Sequence, residues 1–85
     1  MKRTNNPGVI SAWRLGDSAH STNLRTDGVR LWSYGLVIGR RVFLGAASSL
    51  EVVDYTAAGG KFVSQTTSSH VGLARRAADR VVAPE

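Results

Sequence analysis

The sequence predicts an α+β protein, an antiparallel β-meander of four to five strands with one C-terminal helix packed on one face. Three observations lead to this fold class. Asp27-Gly28 lies between two alternating segments, which is a strong local signal for a β-hairpin. Short β-favouring runs separated by glycines continue to residue 65. Beyond residue 66 the apolar residues recur at the spacing of a helix.

The predicted hairpin turns at Asp27 and Gly28. A two-residue type I′ turn needs positive φ at both central positions, which these residue types tolerate. This turn sets the register, so Arg25 is expected directly opposite Arg30. Like charges placed opposite each other destabilise a sheet by about a few tenths of a kcal/mol or more. An acidic partner would relieve that repulsion.

The same register divides the hairpin side chains between two faces. The apolar face would hold leucines, a valine and threonines. The opposite face would be cationic and aromatic, with Asn23, Arg25, Arg30, Trp32 and Tyr34. Binders of single-stranded nucleic acid combine arginines, which hold phosphates, with aromatic rings, on which bases stack. The alternative is that Trp32 and Tyr34 belong to the core, where large aromatic side chains are mostly found.

The other elements follow from shorter runs. Residues 1–8 are polar and are expected to be a flexible basic arm, followed by a single α+β domain over residues 9–85. Residues 9–15 are apolar and β-favouring and predict a strand. Residues 36–38 and 40–44 are two further β-favouring runs, which Gly39 separates. Strands are also expected over residues 50–56 and 61–65, with turns at residues 45–49 and 57–60.

The C-terminal segment predicts a helix that ends near Pro84. Hydroxyl side chains at residues 66–69 offer N-caps, and Val71, Ala74 and Val81 recur at helical spacing. One helix cannot cover both faces of a sheet. The uncovered face must therefore meet solvent, a second copy of the chain or another partner, and we expect function there.

Composition narrows the class of partner. Eleven lysines and arginines stand against six acidic residues, for a formal net charge of +5, and nearly all the bases are arginine. The guanidinium group of arginine forms paired hydrogen bonds with phosphate and carboxylate groups. An acidic partner is therefore expected, either nucleic acid or a nucleoprotein complex. No apolar run has the length of a transmembrane helix and no signal core follows Met1. The sequence predicts a cytoplasmic protein that does not bind membranes.

The sequence carries no recognisable catalytic or metal-binding motif. There are no cysteines, and His20 and His70 stand without a ligand spacing. No serine has the surroundings of a nucleophile elbow. Gly59-Gly60-Lys61 lacks the rest of the phosphate-loop pattern. We therefore expect no enzyme activity, no cofactor and no metal.

The candidate binding residues are arginines and exposed aromatic residues of the predicted hairpin, the following strand and the C-terminal helix. They are Arg25, Arg30, Trp32, Tyr34, Arg40, Arg41, Arg76 and Arg80. Arg76 and Arg80 lie four residues apart, which would place them on one side of the predicted helix. The alternative for these two is a solvated helix face without a partner.

Residues 22–28, followed by Leu31-Trp32-Ser33-Tyr34, Ile38-Gly39 and residues 66–70, resemble small accessory proteins of bacteriophages and other mobile elements. The resemblance includes no catalytic motif and transfers no site residue. It implies a viral or mobile-element protein acting inside a bacterial host cell. By analogy within that class, an inhibitor of host defence of the anti-CRISPR kind is expected.

The sequence therefore supports two main hypotheses for the function. The first is a non-enzymatic protein that binds a host nucleic-acid-processing defence complex through the basic, aromatic surface and inhibits or modulates it. The second is direct, sequence-tolerant binding of DNA or RNA. A small scaffold that forms homo-oligomers is a third alternative.

Overall fold

The computed structural model describes residues 2–56 and 63–84, and within them two helices cover one face of a seven-stranded sheet. The helices are α1 (Asn6–Leu15) and α2 (Gln65–Arg75). The strands are β1 (Lys2–Arg3), β2 (Ala19–His20), β3 (Leu24–Thr26), β4 (Arg30–Ser33), β5 (Leu36–Leu44), β6 (Ala47–Val53) and β7 (Arg80–Val82).

The order of the strands in the sheet is their order in the chain. The edge strands β1 and β7 pair in parallel with β2 and β6, and the inner pairs are antiparallel. The predicted fold class is therefore wrong. The sheet is mixed and has more strands than the predicted meander, and a second helix lies near the N-terminus.

The N-terminal helix has clear end signals. The Asn5 side chain accepts a hydrogen bond from the Gly8 N–H at 2.8 Å, which caps α1, and Pro7 stands in its first turn. Gly16 ends the helix with φ of 78°, a left-handed conformation that suits glycine. Because α1 begins at Asn6 and β1 precedes it, the expected domain boundary after residue 8 falls inside this helix.

The predicted strand over residues 9–15 is wrong. The buried residues of this segment recur at the spacing of a helix and do not alternate as they would in a strand. Val9, Ile10 and Trp13 face the sheet, while Leu15 is exposed. The β-favouring composition of this run is overridden by tertiary packing of one helix face.

The turn at Asp27 is longer than predicted. Thr26 pairs with Leu31, so four residues lie between the paired positions, and three of them connect β3 to β4. The Asp27 carboxylate accepts from the N–H groups of Arg30 and Val29 at 2.8 and 2.9 Å. These backbone hydrogen bonds, that of Arg30 first, hold the pKa of Asp27 below its ordinary value. The side chain thus organises a wider loop that replaces the two-residue turn.

Gly28 in this loop cannot be replaced without strain. Its φ is 94°, and a Cβ placed there would lie 2.4 Å from the carbonyl oxygen of Gly16. The loop therefore closes directly against the backbone that follows α1.

The longer loop shifts the predicted register by two residues and keeps the two faces unchanged. Arg25 pairs with Trp32 and not with Arg30. Because side chains alternate with a period of two, a shift of two residues leaves the side chains of β3 and β4 on their predicted sides. Tyr34 is outside this pairing, in the turn after β4. The buried side of these two strands holds Leu24, Thr26, Leu31 and Ser33.

The core lies between the helices and this buried side. Trp13 is fully buried and packs against Gly39, where an added Cβ would lie 2.8 Å from its ring. The indole N–H donates to the Val29 carbonyl oxygen at 3.2 Å. Beside this contact β5 has a β-bulge. Val37 and Gly39 pair with consecutive residues of β4, so Ile38 between them is an extra residue, and it is fully buried.

The C-terminal region departs from prediction at both ends. Ser64 caps α2 by accepting from the Thr67 N–H at 3.1 Å, and the helix ends at Arg75. The chain then forms β7, so the predicted helix to Pro84 is wrong beyond Arg75. The Asp79 carboxylate accepts from the Leu50 N–H at 2.8 Å and anchors this strand. The predicted strand over residues 61–65 overlaps the start of α2, and residues 57–62 lie outside the described part.

Candidate nucleic-acid interface

Both helices lie on one side of the sheet, and the other side carries two rows of side chains that no described element covers. We call this side the open face. The first row crosses β1 to β5 and the second crosses β4 to β7. The rows consist of Arg3, His20, Arg25, Trp32 and Val37, and of Arg30, Arg40, Glu51 and Arg80.

At the centre of the first row, an arginine stacks on an aromatic ring. The guanidinium carbon of Arg25 lies 4.5 Å from the centroid of the Trp32 ring, directly across the β3–β4 pair. Such a cation–π contact stabilises by about 0.5 to 1 kcal/mol at an exposed site. It orients the guanidinium of Arg25, whose donors have no hydrogen-bond partner among the described residues.

The second row carries three arginines and one carboxylate. Glu51 is 5% exposed, and its two oxygens lie 2.9 Å from Nε of Arg40 and 3.4 Å from Nε of Arg80. Both arginine side chains remain more than half exposed. Arg30 pairs with Arg40 across β4 and β5. The row therefore keeps an excess of positive charge and places arginine donors toward solvent.

The structure gathers five of the eight predicted binding residues on the open face and places three elsewhere. Arg41 points to the helix side, where its guanidinium donates to the Gly28 carbonyl at 3.2 Å and to the Ser48 hydroxyl at 2.9 Å. Arg76 is the C-cap residue of α2 in the helix layer. Tyr34 lies in the β4–β5 turn. The local sequence around Arg41 and Arg76 does not distinguish them from the arginines of the open face.

A recess of about 440 Å³ opens at the β2–β3 turn. It is lined by polar side chains of the turn, by Tyr34 and by residues at the ends of the two strands: His20, Ser21, Thr22, Asn23, Leu24, Arg25 and Tyr34. Arg25 belongs both to this recess and to the open face. The recess was not predicted from the sequence, where its one signal is the polar run at residues 20–23.

On the buried side, a chain of hydrogen bonds joins strand, helix and loop. The Ser33 hydroxyl lies 2.7 Å from Nδ1 of His70 and 3.0 Å from the Thr67 hydroxyl. The Asn6 amide nitrogen lies 3.4 Å from Nε2 of His70, and its oxygen accepts from Ser21. A serine beside a histidine can serve as an activated nucleophile, but Ser33 is fully buried and is not presented to a substrate in this conformation. The geometry supports a packing role.

We expect stability to fall as the pH drops below about 6.5, because burial lowers the pKa of His70 below its ordinary value of 6.5. The unfolded chain then binds a proton that the folded protein does not, so acid favours unfolding. Denaturant titrations between about pH 7.5 and 5.5 measure this, above the range in which most carboxylates titrate. His70→Gln should remove this component of the slope. An unchanged pH slope in that variant would contradict the assignment.

Comparison of the chain with protein-family models, with curated proteins and with solved structures finds no match. Neither α1 nor α2 is long and apolar enough to cross a membrane. Within residues 2–56 and 63–84, no group of three histidine, aspartate or glutamate side chains could hold a metal ion.

Proposed function

We propose that this protein is a non-enzymatic binding protein that holds single-stranded nucleic acid across the open face. The observation that carries the proposal is the Arg25–Trp32 stack, which stands in the middle of an uncovered, arginine-rich sheet surface. Phosphates attract guanidinium groups, and unpaired bases stack on guanidinium planes and aromatic rings. A surface that offers both suits a single strand better than a duplex, whose bases are already stacked.

The spacing of the second row fits this role. Neighbouring strands of a sheet lie about 4.8 Å apart, so Arg30 and Arg40 present two positive charges on adjacent strands. Arg80 adds a third charge on β7, beyond the buried Glu51. A nucleic-acid strand that crosses the sheet in this direction meets an arginine on three of the four β-strands. The bases can then stack on the first row, beside Arg25 and Trp32.

A defence-complex inhibitor that binds an acidic protein is the second candidate. The specific observation in its favour is an apolar tip on the β5–β6 hairpin, where Phe43 and Leu44 are 64% and 63% exposed. Exposed large apolar side chains are typical of protein contacts and add nothing to phosphate binding. Nucleic acid by itself can occupy both the Arg25–Trp32 stack and the arginine row. Nucleic-acid binding therefore remains the function that we propose first.

Titration of a fluorescently labelled single-stranded oligonucleotide of mixed sequence, followed by anisotropy, tests the proposal. We expect binding at about 50 mM salt and, with three phosphate contacts, affinity about twentyfold weaker at 200 mM. The loss reflects counterions released when Arg30, Arg40 and Arg80 meet phosphates. The absence of binding at the lower salt concentration would overturn the proposal and favour the protein-binding candidate.

Glu51→Gln should tighten oligonucleotide binding several-fold and steepen its salt dependence. The substitution keeps the size of the side chain but removes the carboxylate that competes with phosphate for Arg40 and Arg80, so both neutralise phosphate more fully than in the wild type. Asp17→Asn is the matched control, because Asp17 is exposed in the loop after α1 and gives the same change in net charge away from the open face. An equal effect of both variants would show that only net charge matters.

A further inference from the structure

We propose that the recess at the β2–β3 turn is a pocket for one unpaired nucleobase of the strand on the open face. This inference rests on the proposed function and assigns to it a site for a single base. Arg25 and His20 pair across β2 and β3 in the first row of the open face, and both also line the recess. A strand that follows this row therefore reaches the recess without leaving the protein surface.

Several of the side chains that line the recess carry polar groups that make no bond within the described structure. The side chains of His20, Thr22 and Asn23 have no hydrogen-bond partner among the described residues, and neither does the Tyr34 hydroxyl. Ser21, by contrast, is occupied by Asn6 and the Leu24 backbone. These side chains are half-buried or exposed, so they are available to hydrogen-bond with a ligand that enters the recess. The volume of about 440 Å³ lies within the range of small-molecule sites.

The chemistry of these groups matches the edge and face of a base. An asparagine amide donates and accepts at once, and it forms a two-bond pair with the edge of adenine. Asn23 is therefore the residue that we expect to recognise the base edge, and adenine is the base that we expect to bind best. The ring of Tyr34 offers the stacking surface.

Tyr34 is held in an unusual backbone conformation that displays its ring. Its φ is 56°, in the left-handed region that a bulky residue rarely adopts, and the residue is 53% exposed. The turn is closed by the pairing of Ser33 with Leu36, and the ring lies 6.5 Å from the His70 ring at a 40° tilt. A two-residue hairpin turn needs positive φ at its first position, so the turn itself holds Tyr34 in this conformation beside the recess.

Tyr34→Gly and Asn23→Ala test the pocket with little risk to the fold. Glycine accepts the positive φ of position 34, and the side chain of Asn23 makes no bond within the described structure. Each variant is titrated with a labelled oligodeoxyadenosine and with an abasic sugar-phosphate oligomer of the same length. The abasic oligomer reports the phosphate contacts alone and serves as the control within each variant.

We expect Tyr34→Gly to weaken binding of oligodeoxyadenosine by about tenfold and to leave binding of the abasic oligomer unchanged. Asn23→Ala should remove the preference of the wild-type protein for oligodeoxyadenosine over oligodeoxythymidine. If both variants bind oligodeoxyadenosine as the wild type does, the pocket is refuted while the proposed function stands. If the wild-type protein binds no oligonucleotide even at low salt, both proposals fail.

Discussion

Replacing Arg25 and Arg30 together by glutamate is expected to weaken binding of single-stranded nucleic acid by about a hundredfold or more. Loss of the phosphate contact of Arg30 costs about 1.5 to 3 kcal/mol, and loss of the stacking surface that Arg25 forms with Trp32 costs about 1 to 3 kcal/mol. Together these losses account for that factor before any repulsion by the new carboxylates. The fold should persist, because both side chains are exposed and glutamate at position 30 would face Arg40. Anisotropy titration at low salt measures the affinity, and circular dichroism checks the fold.

The matched control is Arg14→Glu with Arg75→Glu. It lowers the formal net charge from +5 to +1 as the test variant does, but on α1 and α2, away from the open face. Both control residues stand in the last turn of a helix, where a positive charge stabilises by about 0.3 to 1 kcal/mol, so titrations belong well below the melting temperature. An equal loss of affinity in both double variants would show that the effect comes from net charge and not from the open face. Unchanged binding by the variant at positions 25 and 30 would refute the open face as the site.

Trp13→Ala is expected to lower the free energy of unfolding by about 3 to 5 kcal/mol. Trp13 is fully buried between α1 and the sheet, its ring touches Gly39, and its indole N–H bonds to the Val29 carbonyl. A domain of this size has a total stability of only about 4 to 13 kcal/mol, so the variant should be partly or wholly unfolded near physiological temperature. Denaturant titration followed by circular dichroism measures the change.

Leu15→Ala is the control on the same helix, since Leu15 is 78% exposed and its removal should change stability by less than about 0.5 kcal/mol. Comparable losses in both variants would mean that α1 does not pack by the face that Val9, Ile10 and Trp13 define.

Alternation along β3 and β4 was predictable from sequence, and the pairing between them was not. Arg25 and Trp32 lie on the predicted face of the sheet although the predicted register was wrong by two residues, because side-chain direction repeats every two residues. The turn was mispredicted because Asp27 binds two backbone N–H groups with its carboxylate, an alternative that competes with the two-residue turn. The repulsion expected between Arg25 and Arg30 therefore does not arise between those two residues.

The helix α1 was missed although its signals are present. Asn5 followed by Pro7 marks a helix start, and Gly16 marks an end. The β-favouring residues between these signals predicted a strand instead, and a strand and a helix bury different subsets of the same run. The packing of Trp13 on Gly39 decides between them, and that contact joins residues distant in sequence.

The sequence identified arginines as candidate site residues, but it could not show which of them lie on the same side of the sheet. Arg40 and Arg41 are neighbours in the chain and face opposite sides of the sheet, one toward Glu51 and the other toward the end of α1. The recess beside Tyr34 was not visible either, because its walls come from the β2–β3 turn and the β4–β5 turn. Those walls meet only when the strands pair.

The sequence by itself determined the excess of arginine, the alternation that separates Leu24 and Leu31 from Arg25 and Trp32, and the helical period near the C-terminus. These are properties of composition and of short local spacing. Only the tertiary structure decided that both helices pack on the leucine side and leave the open face uncovered, with Arg25 stacked on Trp32. The physical reason is that register and layer packing depend on contacts between distant segments, which local propensities do not encode.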